Sequence, residues 1–241
     1  MTDVRLVADG LRKRFGGVLA VDGFSLDAQA GEIVGLIGPN GAGKTTVFNL
    51  ISGLERPDEG TLWLDGHDVT RAPAYAMSRR GVQRTFQNLR LFPGLTVRDN
   101  VVAGSLRRRR QRLGGARARA DAVLSRVGFT GDREVSPAAL PYAFQRRVEI
   151  ARALAAEPHV LLLDEPAAGM HSTERDDLAR LILDLRDQGL LIIVVEHDMS
   201  LIDRVCTRVV VMDFGRIIAS GTPDEVRADA SVIAAYLGVP T

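Results

Sequence analysis

One string, Gly38-Pro39-Asn40-Gly41-Ala42-Gly43-Lys44-Thr45-Thr46, constrains this chain more than any other. It has the spacing of a phosphate-binding glycine loop, G-x-x-x-x-G-K-[ST]. Ile33-Val34-Gly35-Leu36-Ile37 precedes it, apolar and partly β-branched, and reads as a short buried strand. Val47-Phe48-Asn49-Leu50-Ile51 follows it, with Gly53 placed as a helix stop. Strand, glycine loop and helix is the geometry that phosphate binding needs. Glycines let the backbone turn and carry N–H groups close to phosphate oxygens. The helix N-terminus adds partial positive charge. In such a loop Lys44 reaches the β- and γ-phosphates of a nucleotide, and the Thr45 hydroxyl ligates Mg²⁺. The bland reading, a glycine turn without function, must treat loop, Lys, Thr and flanking pattern as coincidence.

The 241 residues suffice for one large α/β domain, or for one domain with a subdomain. A net charge of +1 gives no global field for nucleic acid or an anionic membrane. Lys occurs only at Lys13 and Lys44, which makes Lys44 conspicuous; the preference for Arg elsewhere reads as coding bias. Cys206 is alone, so no intrachain disulfide is expected and a reducing compartment fits. The Met1 end lacks a basic segment followed by an apolar one, so no signal peptide is expected. The longest apolar run, Gly189 to Val195, is far shorter than the ~20 residues that span a bilayer. A membrane role would therefore go through a partner.

Val4–Leu11 and Ala20–Asp27 read as two strands joined by the polar loop Lys13-Arg14-Phe15-Gly16-Gly17. Phe15 in that loop either packs into the core, the reading favoured by the residues alone, or lets an adenine stack on it. Residues 61–69 alternate about Asp65-Gly66, a hairpin pattern. Gly81 to Gln87 is strand-like. Gln87 at its end either ligates a metal, positions a water or, as most lone Gln do, sits in solvent. The tract Arg107-Arg108-Arg109-Arg110-Gln111-Arg112 has no interleaved aromatic for base stacking. A solvated helix end with a flexible loop is its plain reading; nucleic-acid contact and lipid headgroup contact are the alternatives. Residues 145–155 form a strong helix pattern.

His159-Val160-Leu161-Leu162-Leu163-Asp164-Glu165-Pro166 is a buried strand ending in two acids. Downstream of a phosphate loop, Asp164 can hold Mg²⁺ through water and Glu165 can polarise an attacking water. Leu178, Leu181, Ile182 and Leu185 mark one buried helix face after Ser172. Leu190 to Val195 is another buried strand, ending at Glu196-His197-Asp198. A His beside acids at a strand end is commonly structural. In a phosphate-loop fold, however, that end lies on the phosphate side, so His197 is also a candidate γ-phosphate contact. A hairpin about Asp213-Phe214-Gly215 and a helical C-terminal region complete the chain. The order implies α/β architecture: a mainly parallel central sheet, an N-terminal antiparallel β part and an inserted helical lobe.

On these residues the chain resembles the ATP-binding subunits of ABC transporters over essentially its whole length. GPNGAGKTT matches the family's P-loop, and Arg84-Thr85-Phe86-Gln87 the loop with its metal-contacting Gln. VLLLDEP matches the strand bearing the Mg²⁺-supporting Asp164 and catalytic Glu165, and Val195-Glu196-His197-Asp198 the switch His. Phe15 falls where the family stacks an aromatic on adenine, which turns its reading toward nucleotide. RFGGVLAVD, RTFQNLRLFPGLTVRDNV, QRRVEIARAL, DEPAAGM, VEHDM and SGTPDEV with AAYLG resemble the branched-chain amino acid importer ATPases, within a wider set for amino acids and amides.

The resemblance implies a single ABC ATPase domain over 1–241, with P-loop NTPase core at 1–87 and 159–241 and a helical signature subdomain at 88–158. It implies ATP and Mg²⁺ as ligands and integral membrane permease subunits as partners. It also implies a second ATPase cassette, and a peripheral position on the cytoplasmic face of the cell membrane. Gly38 to Thr46 and Phe15 would bind nucleotide. Thr45, Gln87 and Asp164 would serve the metal, and Glu165, His197, Gln87 and Lys44 would serve catalysis. Two departures stand out. The family's LSGGQ or LSYGQ signature reads Leu140-Pro141-Tyr142-Ala143-Phe144, and the dimer-loop Asp is His171. The altered signature favours a pair with a different cassette. It also supports a rival reading, an ATP-binding regulatory switch with little turnover. A GTPase would need a guanine-reading N-K-x-D string, and none is seen.

Overall fold

The structure, a computed structural model, describes residues 4–105 and 113–237. In chain order its elements are β1 (Arg5–Phe15), β2 (Val18–Gln29), β3 (Ile33–Ile37), α1 (Lys44–Ile51), β4 (Glu59–Leu64), β5 (His67–Asp68), α2 (Ala74–Arg79) and β6 (Val82–Arg84). A helical stretch follows, with α3 (Val97–Ser105), α4 (Leu113–Arg126), a 3₁₀ turn (Pro137–Ala139) and α5 (Tyr142–Ala155). The chain then runs through β7 (Val160–Asp164), α6 (Ser172–Asp187), β8 (Leu191–Val195), α7 (Met199–Val205), β9 (Arg208–Asp213), β10 (Arg216–Gly221), α8 (Pro223–Ala228) and α9 (Ala230–Leu237). The Arg107–Arg112 tract lies outside the described residues.

Two sheets form within those residues. β2-β1-β4-β5 is antiparallel, and β10-β9-β3-β8-β7-β6 is parallel except for the β9–β10 hairpin. β3, β7 and β8 are buried at every position, as strands covered on both faces must be, which is why they read as unbroken apolar runs. Their parallel pairing, Leu36 beside Val195 and Asp164 beside Val195, brings three strand ends to one edge. The glycine loop, Glu165 and His197 all follow those ends. This is where ligands bind in open α/β sheets.

One core cluster joins β7, β8, α5, α6 and α7 with α3 and α4. A second fills the space between the antiparallel sheet, α1 and the other face of the parallel sheet. β1 runs straight through Lys13 to Phe15, and Gly16-Gly17 alone make the turn, so Phe15 ends a strand rather than sitting in a loop. Its side chain is 45 % exposed, which removes the core reading. α5 also starts earlier than its apolar pattern suggested, at Tyr142, with Pro141 as its N-cap in extended conformation.

Candidate active site

The loop after β3 turns back over the strand end and launches α1 at Lys44. Gly38 (φ 148°) and Gly43 (φ 102°) hold backbone conformations that L side chains rarely adopt. Neither has room for a methyl. A Cβ at Gly38 would stand 2.1 Å from the Met212 carbonyl oxygen, and one at Gly43 would stand 2.4 Å from that of Ala20. The loop is thus packed backbone to backbone between β9 and β2. α1 has no side-chain N-cap, so its first amides remain open to an anion.

Lys44 is 7 % exposed, and its Nζ donates to the carbonyls of Gly38 (2.7 Å) and Pro39 (2.8 Å). Burial lowers the ammonium's pKa, and the carboxylates of Glu165 and Asp164 oppose that shift. Thr45 is exposed at the helix start and Thr46 half-buried beside it. A cavity of about 250 Å³ opens here, lined by Ala20, the loop from Asn40 to Thr46, Gln87, Glu165, Val195 and His197.

Glu165 is the centre of the site's polar network. Its Oε1 lies 3.0 Å from His197 Nε2, and its Oε2 accepts from Gln87 Nε2 at 3.1 Å. Its φ of 46° is unusual for a side-chain-bearing residue. Its own N–H donates to Val195 O at 2.9 Å, tying the turn to the end of β8. Asp164 sits one residue back, 3 % exposed, and its Oδ2 accepts from Arg84 Nη2 at 2.8 Å. The structure therefore brings Lys44, Thr45, Gln87, Glu165 and His197 to one cavity. Phe15 lies apart from that lining, exposed at the end of β1, with Lys13 Nζ 5.4 Å from its ring centroid.

Two contributors have no assigned role in the sequence reading. Glu196 is buried; its Oε1 accepts from Ala167 N (2.8 Å) and its Oε2 from His197 N (3.1 Å), so it staples the Glu165 turn to the His197 turn. Burial pushes its pKa up, against the backbone N–H groups that pull it down. Arg84 reaches Asp164 from β6. Glu196 left a trace in the sequence, as an acid at a strand end; the bond of Arg84 to Asp164 depends on tertiary placement.

The altered signature forms the start of α5. Pro141 has no N–H, and its carbonyl takes the amides of Phe144 (3.0 Å) and Gln145 (3.1 Å). Phe144 turns inward, its ring edge-on to Phe129 at 5.7 Å between centroids. Ala143 is buried, and Tyr142 Oη accepts from Arg146 Nη2 at 2.8 Å.

Set beside known proteins, residues 21–168 match the ABC transporter family, and residues 216–240 match the family described as branched-chain amino acid ATP-binding cassette transporter. The chain is 40 % identical over 250 residues to the high-affinity branched-chain amino acid transport ATP-binding protein BraF of Pseudomonas aeruginosa, covering 97 % of each chain. It is 39 % identical over 253 residues to LivG of Escherichia coli, of the same description, covering 99 % of each. Among solved structures, the dimeric post-hydrolysis state of the ATP-binding cassette MJ0796 bound to ADP and Pi superposes with a TM-score of 0.83 at 25 % identity, over 90 % of this chain and 98 % of that one.

Proposed function

Since the chain belongs to the ABC transporter family as an ATP-hydrolysing transport subunit, we propose that it energises uptake of branched-chain amino acids or related amides. The observation that carries a hydrolytic site is Glu165 held by one oxygen on His197 and by the other on Gln87, beside the glycine loop.

ATP phosphates would lie over the loop amides, and Lys44 Nζ would exchange the Gly38 and Pro39 carbonyls for phosphate oxygens. Phe15, exposed at the end of β1, would stack on adenine. Thr45, Gln87 and Asp164 offer hydroxyl, amide and carboxylate oxygens, hard donors that suit Mg²⁺. Among the described residues no cluster of three His, Cys, Asp or Glu could hold a metal alone, so phosphate and water must complete the shell. Bound there, Mg²⁺ would supply charge neutralisation of the phosphates. Glu165 accepts the proton of the attacking water, in the orientation that His197 and Gln87 fix. His197, 44 % exposed at the side chain, is free to reach the γ-phosphate.

The chain acts with others in this reading. No helix of the described residues is long and apolar enough to cross a membrane. In this reading separate permease subunits carry the solute, and this chain sits peripheral on their cytoplasmic side. Residues 88–158 form the helical signature part. Phe92 and Leu95, exposed just after Gln87, offer those subunits an apolar contact. A second cassette faces this one head to tail. Pro141 and Phe144 present neither hydroxyl nor amide to the phosphate opposite, so the favoured partner is a different cassette with an intact signature. This chain's own P-loop site then does most of the hydrolysis.

Membrane vesicles bearing the permease subunits test the reading. ATP-dependent uptake of leucine that requires this chain and is lost in Glu165→Gln supports it. Solute-independent ATP binding without transport would favour the regulatory switch instead.

A further inference from the structure

Arg84 joins three of the segments described above. Its Nη1 donates to Asn49 Oδ1 of α1 at 2.6 Å, and its Nη2 donates to Asp164 Oδ2 of β7 at 2.8 Å. Its guanidinium also lies 5.3 Å from the Phe48 ring centroid and 5.1 Å from that of Phe86, the residue before Gln87. Both members of the ion pair are buried, with side chains 6 % and 4 % exposed. A buried carboxylate oxygen needs a hydrogen-bond partner within the protein to be fixed in place, and a guanidinium is a strong one. Lys44 does not contact it; its Nζ is held by the loop carbonyls. We propose that Arg84 is the positioning residue of the magnesium site: it takes one oxygen of Asp164 and holds it, leaving the other to face the metal's water shell.

The planar fork matters here. One guanidinium nitrogen reaches α1 and the other reaches β7, so the Asp164 carboxylate is registered against the helix that carries Thr45. Lysine supplies the charge but not both bonds at once. Arg84 acts through Asp164, and the inference rests on the metal reading given above.

The test uses the whole chain with ATP in excess, following the rise in melting temperature as free Mg²⁺ is titrated. In Arg84→Met the Mg²⁺ needed for half of the metal-dependent rise should increase about 10–100-fold, the usual cost of losing a partner that orients a metal-binding carboxylate. The rise seen with ATP and EDTA should stay, because the glycine loop is intact. Without nucleotide the variant should melt on the order of 10 °C lower, since one member of a buried pair is orphaned. Adding Asp164→Asn should recover part of that loss. Arg84→Lys, which keeps charge and folding, should shift the Mg²⁺ requirement in the same direction by about severalfold. An unchanged Mg²⁺ midpoint in both variants, whatever their melting temperatures, overturns the proposal and leaves Arg84 as packing. If the wild type shows no Mg²⁺-dependent rise at all, the metal reading itself is what fails.

Discussion

At the scale of single residues, the site is a set of side chains whose partners fix their roles. Lys44 is buried on its own loop carbonyls and has the charge that the β- and γ-phosphates require. A ligand at a hundredfold its Kd stabilises a native protein by ~2.7 kcal/mol, about 5–10 °C for a chain of this size. Saturating MgATP should therefore raise the wild-type melting temperature by about that much, and Lys44→Ala should lose most of the shift. An undiminished shift would remove Lys44 from the phosphate site. His197→Ala should keep the thermal shift and lower turnover by about tenfold or more, because it takes away a holder of Glu165 and the proposed phosphate contact. Loss of the shift itself would make His197 structural. The grouping of these residues at one sheet edge was legible in the sequence, since Gly38 to Thr46, Asp164-Glu165 and His197 lie at fixed offsets from strand ends. Arg84 and Glu196 were not. Their roles come from bonds to residues 80 and 29 positions away, Asp164 and Ala167, and no local pattern encodes such partners.

At the scale of elements, apolar runs and regular alternation located the strands and helices well, while irregular mixtures such as 88–102 did not. β3, β7 and β8 are buried throughout and read plainly. α3 begins at Val97 inside a stretch of turn residues, and Phe15 misled because a two-residue turn let β1 continue to it. Gly35 shows what packing adds to pattern. A Cβ there would stand 3.0 Å from Cys206 Sγ and 3.2 Å from Ile202 Cδ1, so the central strand needs glycine for α7 to dock. Gly35→Ala should cost ~1–3 kcal/mol by overpacking, visible as a lower melting temperature. The Cys206 thiol gives a second readout. Burial pushes its pKa up to about 12, so in the native wild type it should resist alkylation at pH 8. Gly35→Ala should speed that labelling. Equal melting and equal labelling would mean that α7 adjusts without cost.

At the scale of the whole molecule, one chain holds Glu165 between His197 and Gln87 and carries an altered signature, and the proposed partner is therefore a different cassette. The isolated protein, pairing only with itself, should be a weak ATPase. Restoring hydroxyl, glycine and amide with Pro141→Ser, Ala143→Gly and Phe144→Gln should raise its rate. If the unrepaired protein already turns over as fast as the repaired one, the asymmetry is absent. Beneath that question lies the claim that everything else depends on, that Glu165 is the base of an ATP-hydrolysing P-loop site. The direct measurement is single-turnover phosphate release from bound MgATP by wild type and Glu165→Gln, each with its membrane subunits and partner cassette. An amide keeps the shape of the carboxylate but cannot take the proton of water. If Glu165 is the base, the variant should retain ATP and release phosphate about 10²–10⁴-fold more slowly. Equal release from the two proteins would contradict it.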